Sequence, residues 1–123
     1  DVSYLIGLAK RGYTLGMDHA FWGLAPGATL SWRRRVECIK QLVDAGFVDR
    51  LFLSNDWVFG DLEREKVNPE GLLHTLRKTI PYLKQIGASQ QQIRAITVEN
   101  PKRFFSRIDA LSGDPGSNPI GSP

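Results

Sequence analysis

Apolar and polar positions follow a fixed order along the chain: helix, tight turn, buried strand, polar strand end. Leu51-Phe52-Leu53 is a contiguous apolar run, which is typical of a strand buried on both faces of a parallel sheet. A helical pattern that ends at Gly46 precedes this run, and Asn55-Asp56 follows it. We therefore predict a strand over residues 50–54 whose carboxyl end carries Asp56.

The same order of elements appears one unit earlier. Residues 2–11 are predicted as a helix that ends at Gly12, and residues 13–17 as a short strand that ends in Asp18-His19. The acids Asp18 and Asp56 are 38 positions apart, about one β-loop-helix-loop repeat. Because chemistry in α/β folds lies at the carboxyl ends of strands, the leading hypothesis is a site at these two strand ends.

The remainder of the chain is predicted to be mostly helical. Ser31 is a candidate N-cap for a helix over residues 32–45, and Ser89 begins a capping box. A longer helix ending near residue 86 should kink or break at Pro81. Its predicted inward stripe consists of Leu72, Leu73, Leu76, Ile80 and Leu83. A final helical turn after residue 100 is expected to bury Phe104 and Phe105.

Two strands and about five helices do not close a sheet, because both sheet edges and part of the core would stay open. At 123 residues and 41% hydrophobic content, the chain is one domain at most. We therefore predict that residues 1–111 are one segment of a larger α/β protein. Residues 112–123 are rich in glycine, proline and serine and are predicted to form a flexible tail.

Composition and charge argue against several classes of partner. The net charge is only +3, and the basic run Arg33-Arg34-Arg35 is interpreted as a solvated helix face, so no nucleic acid is expected. No apolar run approaches the ~18 residues of a membrane span, so no membrane is expected. Cys38 is the sole cysteine and is predicted to be buried and unreactive. With no signal peptide visible, a cytoplasmic location is favoured.

Asp56 is the best candidate for chemistry, although a carboxylate at a strand exit can also be a simple cap. His19 can likewise be an ordinary hydrogen-bonded histidine, which is the commoner role of a lone histidine beside a core strand. Asp18-His19 is not a metal signature by itself, because neighbouring residues on an extended chain point to opposite faces. The aromatic Trp22 can line a pocket or cover the core. His74 is interpreted as structural. The residues alone therefore indicate a strand-end carboxylate and a histidine in part of an α/β fold.

Four motifs follow one another along the chain: Gly16-Met17-Asp18-His19, Ser54-Asn55-Asp56-Trp57-Val58-Phe59-Gly60, Val67-Asn68-Pro69-Glu70-Gly71 and Ile96-Thr97-Val98-Glu99-Asn100-Pro101-Lys102-Arg103-Phe104-Phe105. Together and in this order they resemble the phosphotriesterase family, which comprises parathion-hydrolase-like enzymes and related lactonases of the amidohydrolase superfamily. The resemblance runs from about Asp1 to Ser106 and corresponds to the last quarter to third of the family's (β/α)8 barrel. It implies an α/β fold that is the carboxyl-terminal part of a TIM barrel, with two parallel strands and flanking helices.

The resemblance implies a role for each matching residue. Asp56 would bind the more buried of two metal ions and accept a proton from the hydroxide that bridges them. His19 would hydrogen-bond Asp56 and relay that proton to solvent. Trp57 and Phe59 match positions that border the leaving-group pocket. Trp22 stands where the family's phosphotriesterases have a second histidine, and this difference weakens the expectation of organophosphate preference. His19 itself matches the phosphotriesterases rather than the many lactonases that have arginine there.

The resemblance also implies cofactors and partners. Two divalent metal ions are expected in the complete barrel, with zinc preferred over cobalt or manganese. Because the family's other ligands belong to earlier strands, this chain alone is expected to bind no metal. The expected substrate is a small phosphotriester or lactone, and the expected full-length protein is a homodimer. The alternative is a non-catalytic barrel fragment or interaction module that lacks the metal centre.

Overall fold

The computed structural model describes residues 1–18, 30–55 and 70–111, the last five of these by their backbone only. The predicted tail over residues 112–123 lies outside the described residues. The first half of the chain forms helix α1 (Val2–Lys10), strand β1 (Leu15–Met17), helix α2 (Trp32–Asp44) and strand β2 (Leu51–Leu53). A single 3-10 turn, Val48–Arg50, leads into β2.

The two strands pair in parallel, as the sequence predicts, and each is shorter than its predicted range. Leu15 lies opposite Leu51, Gly16 opposite Phe52 and Met17 opposite Leu53. Helix α2 makes the connection between them and packs against the sheet, as in a β-α-β unit. The predicted α/β arrangement of two neighbouring parallel strands with flanking helices is confirmed.

Local sequence signals account for the ends of α2. The hydroxyl oxygen of Ser31 accepts a hydrogen bond from the backbone N–H of Arg34 at 3.2 Å, which satisfies one of the unpaired donors in the first turn. At the other end Gly46 has φ +88°, in the left-handed region that glycine reaches without strain. The chain can therefore turn directly from α2 toward β2.

After β2 the described chain is helical, and two of its turns are wide π turns. Pro81 and Pro101 each lie two residues beyond a π turn. Proline lacks an N–H, so the carbonyl four residues before it has no α-helical donor. In a π turn that carbonyl instead accepts from the N–H of the residue five positions after it. The prediction at Pro81 was a kink or a break; the chain stays helical through Pro81, so no break occurs there, and a π turn accommodates the proline. The elements are a 3-10 turn Gly71–Leu73, a π turn Thr75–Thr79, α3 (Ile80–Gln85), α4 (Gln90–Arg94), a π turn Ala95–Glu99 and α5 (Asn100–Leu111).

The π turn before Pro81 changes which residues face the core. His74, Thr79 and Leu83 are buried, at spacings of five and four residues. A purely α-helical spacing would have turned the predicted leucine stripe inward. Because the extra residue of a π turn rotates the preceding turns outward, the first part of that stripe is instead exposed, which corrects the prediction. The exposed members are Leu72, Leu73 and Leu76.

The core lies between the sheet and the helices that cover it. Its fully buried members include Val36, Ile39, Leu42, Leu51, Leu83 and Ile96. Two further predictions need correction. Phe104 and Phe105 are exposed rather than buried, although the ring of Phe104 contacts that of Phe52 at a centroid distance of 5.5 Å. Cys38 is half-buried. Within the described ranges no helix is both long and apolar enough to cross a membrane.

Candidate active site at the carboxyl ends of the strands

The carboxyl ends of β1 and β2 lie at the same edge of the sheet. Met17 is opposite Leu53, so the residues that follow them, Asp18 and Ser54, leave the sheet side by side. The backbone N–H of Ser54 donates to the carbonyl oxygen of Met17 at 3.3 Å, which extends the pairing by one residue. The Asp18 side chain is exposed at this edge. The structure thus brings together the two strand ends that the sequence singled out.

The predicted site residues lie just past these strand ends. His19, Trp22, Asp56, Trp57 and Phe59 lie outside the described residues, so their convergence stays a prediction. Within residues 1–18, 30–55 and 70–111, no three His, Cys, Asp or Glu side chains are grouped so that they could hold a metal ion.

Asn55, the last described residue after β2, is held by hydrogen bonds on both sides of its amide. Its Nδ2 donates to the carbonyl oxygen of Gly71 at 3.1 Å, and its Oδ1 accepts from Thr75 Oγ1 at 2.8 Å. Gly71 has φ +50°, a conformation in which other residues are strained. These two bonds tie the carboxyl end of β2 to the first turns of the following helix, and we call them the Asn55 clamp.

Sequence reasoning did not identify the Asn55 clamp. An amide directly after a buried strand is a weak signal, because asparagine is common in turns. Its partners are 16 and 20 positions away, and no periodicity joins them to the strand.

An aromatic cluster supports the start of α2. Trp32 meets the rings of His74 and Tyr82 edge-on, each at a centroid distance of 5.4 Å. The Arg33 guanidinium lies 4.6 Å from the centroid of the Trp32 ring, a cation–π contact. Burial lowers the pKa of His74, and the positive charge of Lys78 lowers it further. His74 is therefore a neutral packing residue at pH 7.

Glu37 offsets part of the positive charge in the first turns of α2. One of its carboxylate oxygens accepts from Arg34 Nη1 at 3.0 Å and the other from the Tyr82 hydroxyl at 3.1 Å. The bond from Arg34, followed by the bond from Tyr82, lowers the pKa of Glu37. Burial raises the pKa of Tyr82, and its bond to Glu37 raises it further. Glu37 stays ionised and links α2 to α3.

Among the cavities lined by described residues, two lie near opposite ends of β1. The larger, about 610 Å³, is at the amino ends, where Thr14, Arg50 and Asn100 line it. The smaller, about 160 Å³, adjoins Met17 and Asp18 at the carboxyl ends. In α/β barrels the amino-end face serves stability and the carboxyl-end face carries the chemistry, so size does not decide between the two cavities. We place the candidate site at the carboxyl ends.

Comparison with known proteins gives consistent matches to one family. The family model described as the phosphotriesterase family matches residues 1–105. The solved structure of the phosphotriesterase from Mycobacterium tuberculosis superposes with a TM-score of 0.72 at 30% identity, covering 87% of this chain and 34% of that one.

Two curated relatives show that the named activities differ among the matches. The aryldialkylphosphatase of Saccharolobus solfataricus is 30% identical over 86% of this chain and 35% of its own length. The N-acetyltaurine hydrolase of Dictyostelium discoideum is 30% identical over 88% of this chain and 30% of its own length. The chain thus spans about a third of the length of the relatives that it matches.

Proposed function

The chain belongs to the phosphotriesterase family, and from that membership we propose that it supplies the carboxyl-terminal part of a metal-dependent hydrolase. Its two strands form the carboxyl-terminal part of a (β/α)8 barrel. The rest of the barrel is the partner that would cover the open sheet edges and complete the site. A homodimer of the complete protein is part of the same proposal.

The observation that carries the proposal is the common edge reached by the two strand ends. Asp18 and Ser54 leave the sheet side by side, and the next candidate residues along each segment are His19 and Asp56. A carboxylate and an imidazole on neighbouring strand ends are the residue types that a hydrolytic metal centre requires. The parallel register therefore supports the assignment of these two residues to one site.

Within that site Asp56 is the proposed metal ligand, and His19 the residue that hydrogen-bonds it. Two divalent ions, zinc in preference to cobalt or manganese, would supply an activated nucleophile and polarise the substrate's phosphoryl or carbonyl oxygen. The carboxylate of Asp56 is suited to accept a proton during attack, and the His19 imidazole to orient that carboxylate and pass the proton to solvent. Trp22, Trp57 and Phe59 are the proposed walls of the substrate pocket.

The proposed substrate is a phosphotriester or a lactone. His19 favours the first class, because many lactonase relatives have arginine at that position, while Trp22 departs from the phosphotriesterase pattern. The aryldialkylphosphatase activity named for the Saccharolobus relative agrees with a phosphotriester substrate. That of the Dictyostelium relative adds an N-acyl amide to the substrates that need testing.

The test is a substrate panel on the intact protein that includes the rest of the barrel. An aryl dialkyl phosphate, a lactone and an N-acyl amide are each offered to protein loaded with zinc, cobalt or manganese. The proposal predicts metal-dependent turnover that a chelator abolishes and added metal restores, with the phosphotriester or the lactone as the best substrate. Absence of turnover in every arm would favour a non-catalytic barrel protein or interaction module.

A further inference from the structure

We infer that Asn55 is a positioning residue for the proposed metal site: the Asn55 clamp fixes the carboxyl end of β2 and thereby places the carboxylate of Asp56. This inference rests on the proposed function, because it concerns the ligand role of Asp56. The clamp itself is directly visible as two hydrogen bonds of 3.1 and 2.8 Å to Gly71 and Thr75.

Strand alternation explains why the clamp can act on the neighbouring residue without contacting substrate. Side chains at alternate positions of a strand share a face. Leu51 and Leu53 pack toward the helix-covered core, and Asn55 continues their side of the chain to the helix that begins at Gly71. Asp56 is next in sequence and is expected on the opposite face, which Phe52 shares and which faces the interior of a closed barrel.

The clamp uses both functions of the amide, which makes its geometry specific. The Nδ2 donor and the Oδ1 acceptor are engaged at once, by a backbone carbonyl and a hydroxyl. A carboxylate at position 55 could not donate to Gly71, and alanine could make neither bond. The end of β2 is also paired with β1, because the backbone N–H of Ser54 donates to the carbonyl oxygen of Met17.

The same strand offers a matched control at its other end. Asn100 Nδ2 donates to the carbonyl oxygens of Val48 and Leu51, so it holds the amino end of β2 with the same functional group. If Asn55 acts only through general stability, Asn100→Ala and Asn55→Ala will affect the site alike. A positioning role predicts that only Asn55→Ala changes the site.

The experiment uses the intact protein and makes two measurements. Chelator competition gives the zinc affinity, and hydrogen exchange is followed in peptides covering residues 51–56. Asn55→Ala is expected to weaken zinc binding by about 10- to 100-fold, the effect typical of residues that orient a ligand. Thr75→Val, which removes only the hydroxyl, should act in the same direction, and Thr75→Ser should restore wild-type binding. Both weakened variants should exchange faster at the carboxyl end of β2.

Two control variants complete the design. Asn100→Ala should unfold at lower urea concentration yet bind zinc as the wild type does. Thr97→Val removes a hydroxyl that bonds within its own helix, to the carbonyl of Ile93 at 2.7 Å, and should leave zinc affinity unchanged.

Failure of the inference differs from failure of the proposed function. A wild-type protein that binds no divalent metal would overturn the proposed function and the positioning role with it. A wild-type protein that binds zinc, with Asn55→Ala folded and equal in affinity, would overturn only the inference. Equal loss of affinity in Asn55→Ala and Asn100→Ala would also overturn it, because the effect would then be one of general stability.

Discussion

Asn100 is the buried polar residue on which the amino end of β2 depends, and its replacement tests the packing directly. Its side-chain amide donates to Val48 O at 2.7 Å and to Leu51 O at 2.6 Å, while its Oδ1 accepts from Arg103 at 2.9 Å. Only 2% of the residue is exposed, so water cannot replace these bonds. Each lost bond costs about 1 kcal/mol, and a buried orphaned acceptor about 1–3 kcal/mol.

We therefore expect Asn100→Ala to lower the free energy of unfolding by about 2–4 kcal/mol. Urea unfolding of the intact protein, followed by circular dichroism, measures this as a shift of the midpoint of roughly 1–2 M for a slope near 2 kcal/mol per molar. The matched control is Ser106→Ala on the same helix, whose exposed hydroxyl bonds Lys102 O. The control should change stability by less than ~0.5 kcal/mol. An equally small change in Asn100→Ala would refute this reasoning.

Two further predictions concern packing and pH. A Cβ at position 16 would lie 3.2 Å from ring atoms of Phe52, and that ring is itself packed against Phe104 at a centroid distance of 5.5 Å. Because the ring can move only by disturbing this contact, Gly16→Ala should destabilise the protein by roughly 1–3 kcal/mol. Thermal unfolding of wild type and variant tests this, and an unchanged midpoint would contradict it. The pKa of His74 is lower in the folded than in the unfolded protein. The stability that neutral His74 contributes to the fold is therefore present above the unfolded pKa of about 6.5 and is lost as the pH falls below it. The stability difference between wild type and His74→Gln should shrink over that range, and a constant difference would contradict the burial argument.

Local signals were sufficient to predict the elements that position the candidate site. The contiguous apolar run Leu51-Phe52-Leu53 predicted a strand, and the structure has a strand there. Ser31 and Ser89 cap helices as their side-chain chemistry predicts. The parallel pairing followed from the helix between the strands. These features depend on residues close together in sequence, which is why the pattern alone indicated them.

The hydrophobic pattern could not predict two kinds of feature, the long-range contacts and the altered helical spacing. The inward stripe through Leu72 and Leu76 was predicted for a regular α-helix, but the π turn at Thr75–Thr79 rotates those residues outward and buries His74 instead. Asn100 lies within a helical run, and its side chain bonds a strand residue 49 positions earlier. Local periodicity encodes neither the outward rotation of the leucines nor the long-range bonds of Asn100.

The central claim is that Asp56 is a metal ligand of a hydrolase, and Asp56→Asn tests it most directly. Bound metal per polypeptide and turnover are measured together in the intact wild-type and variant proteins. We predict that the wild type holds two divalent ions and that Asp56→Asn loses metal and most turnover, because an amide is a poorer ligand and accepts no proton. His19→Ala should lose less, with turnover or metal affinity falling by about 10- to 100-fold. Near-normal metal content and turnover in Asp56→Asn would contradict the account.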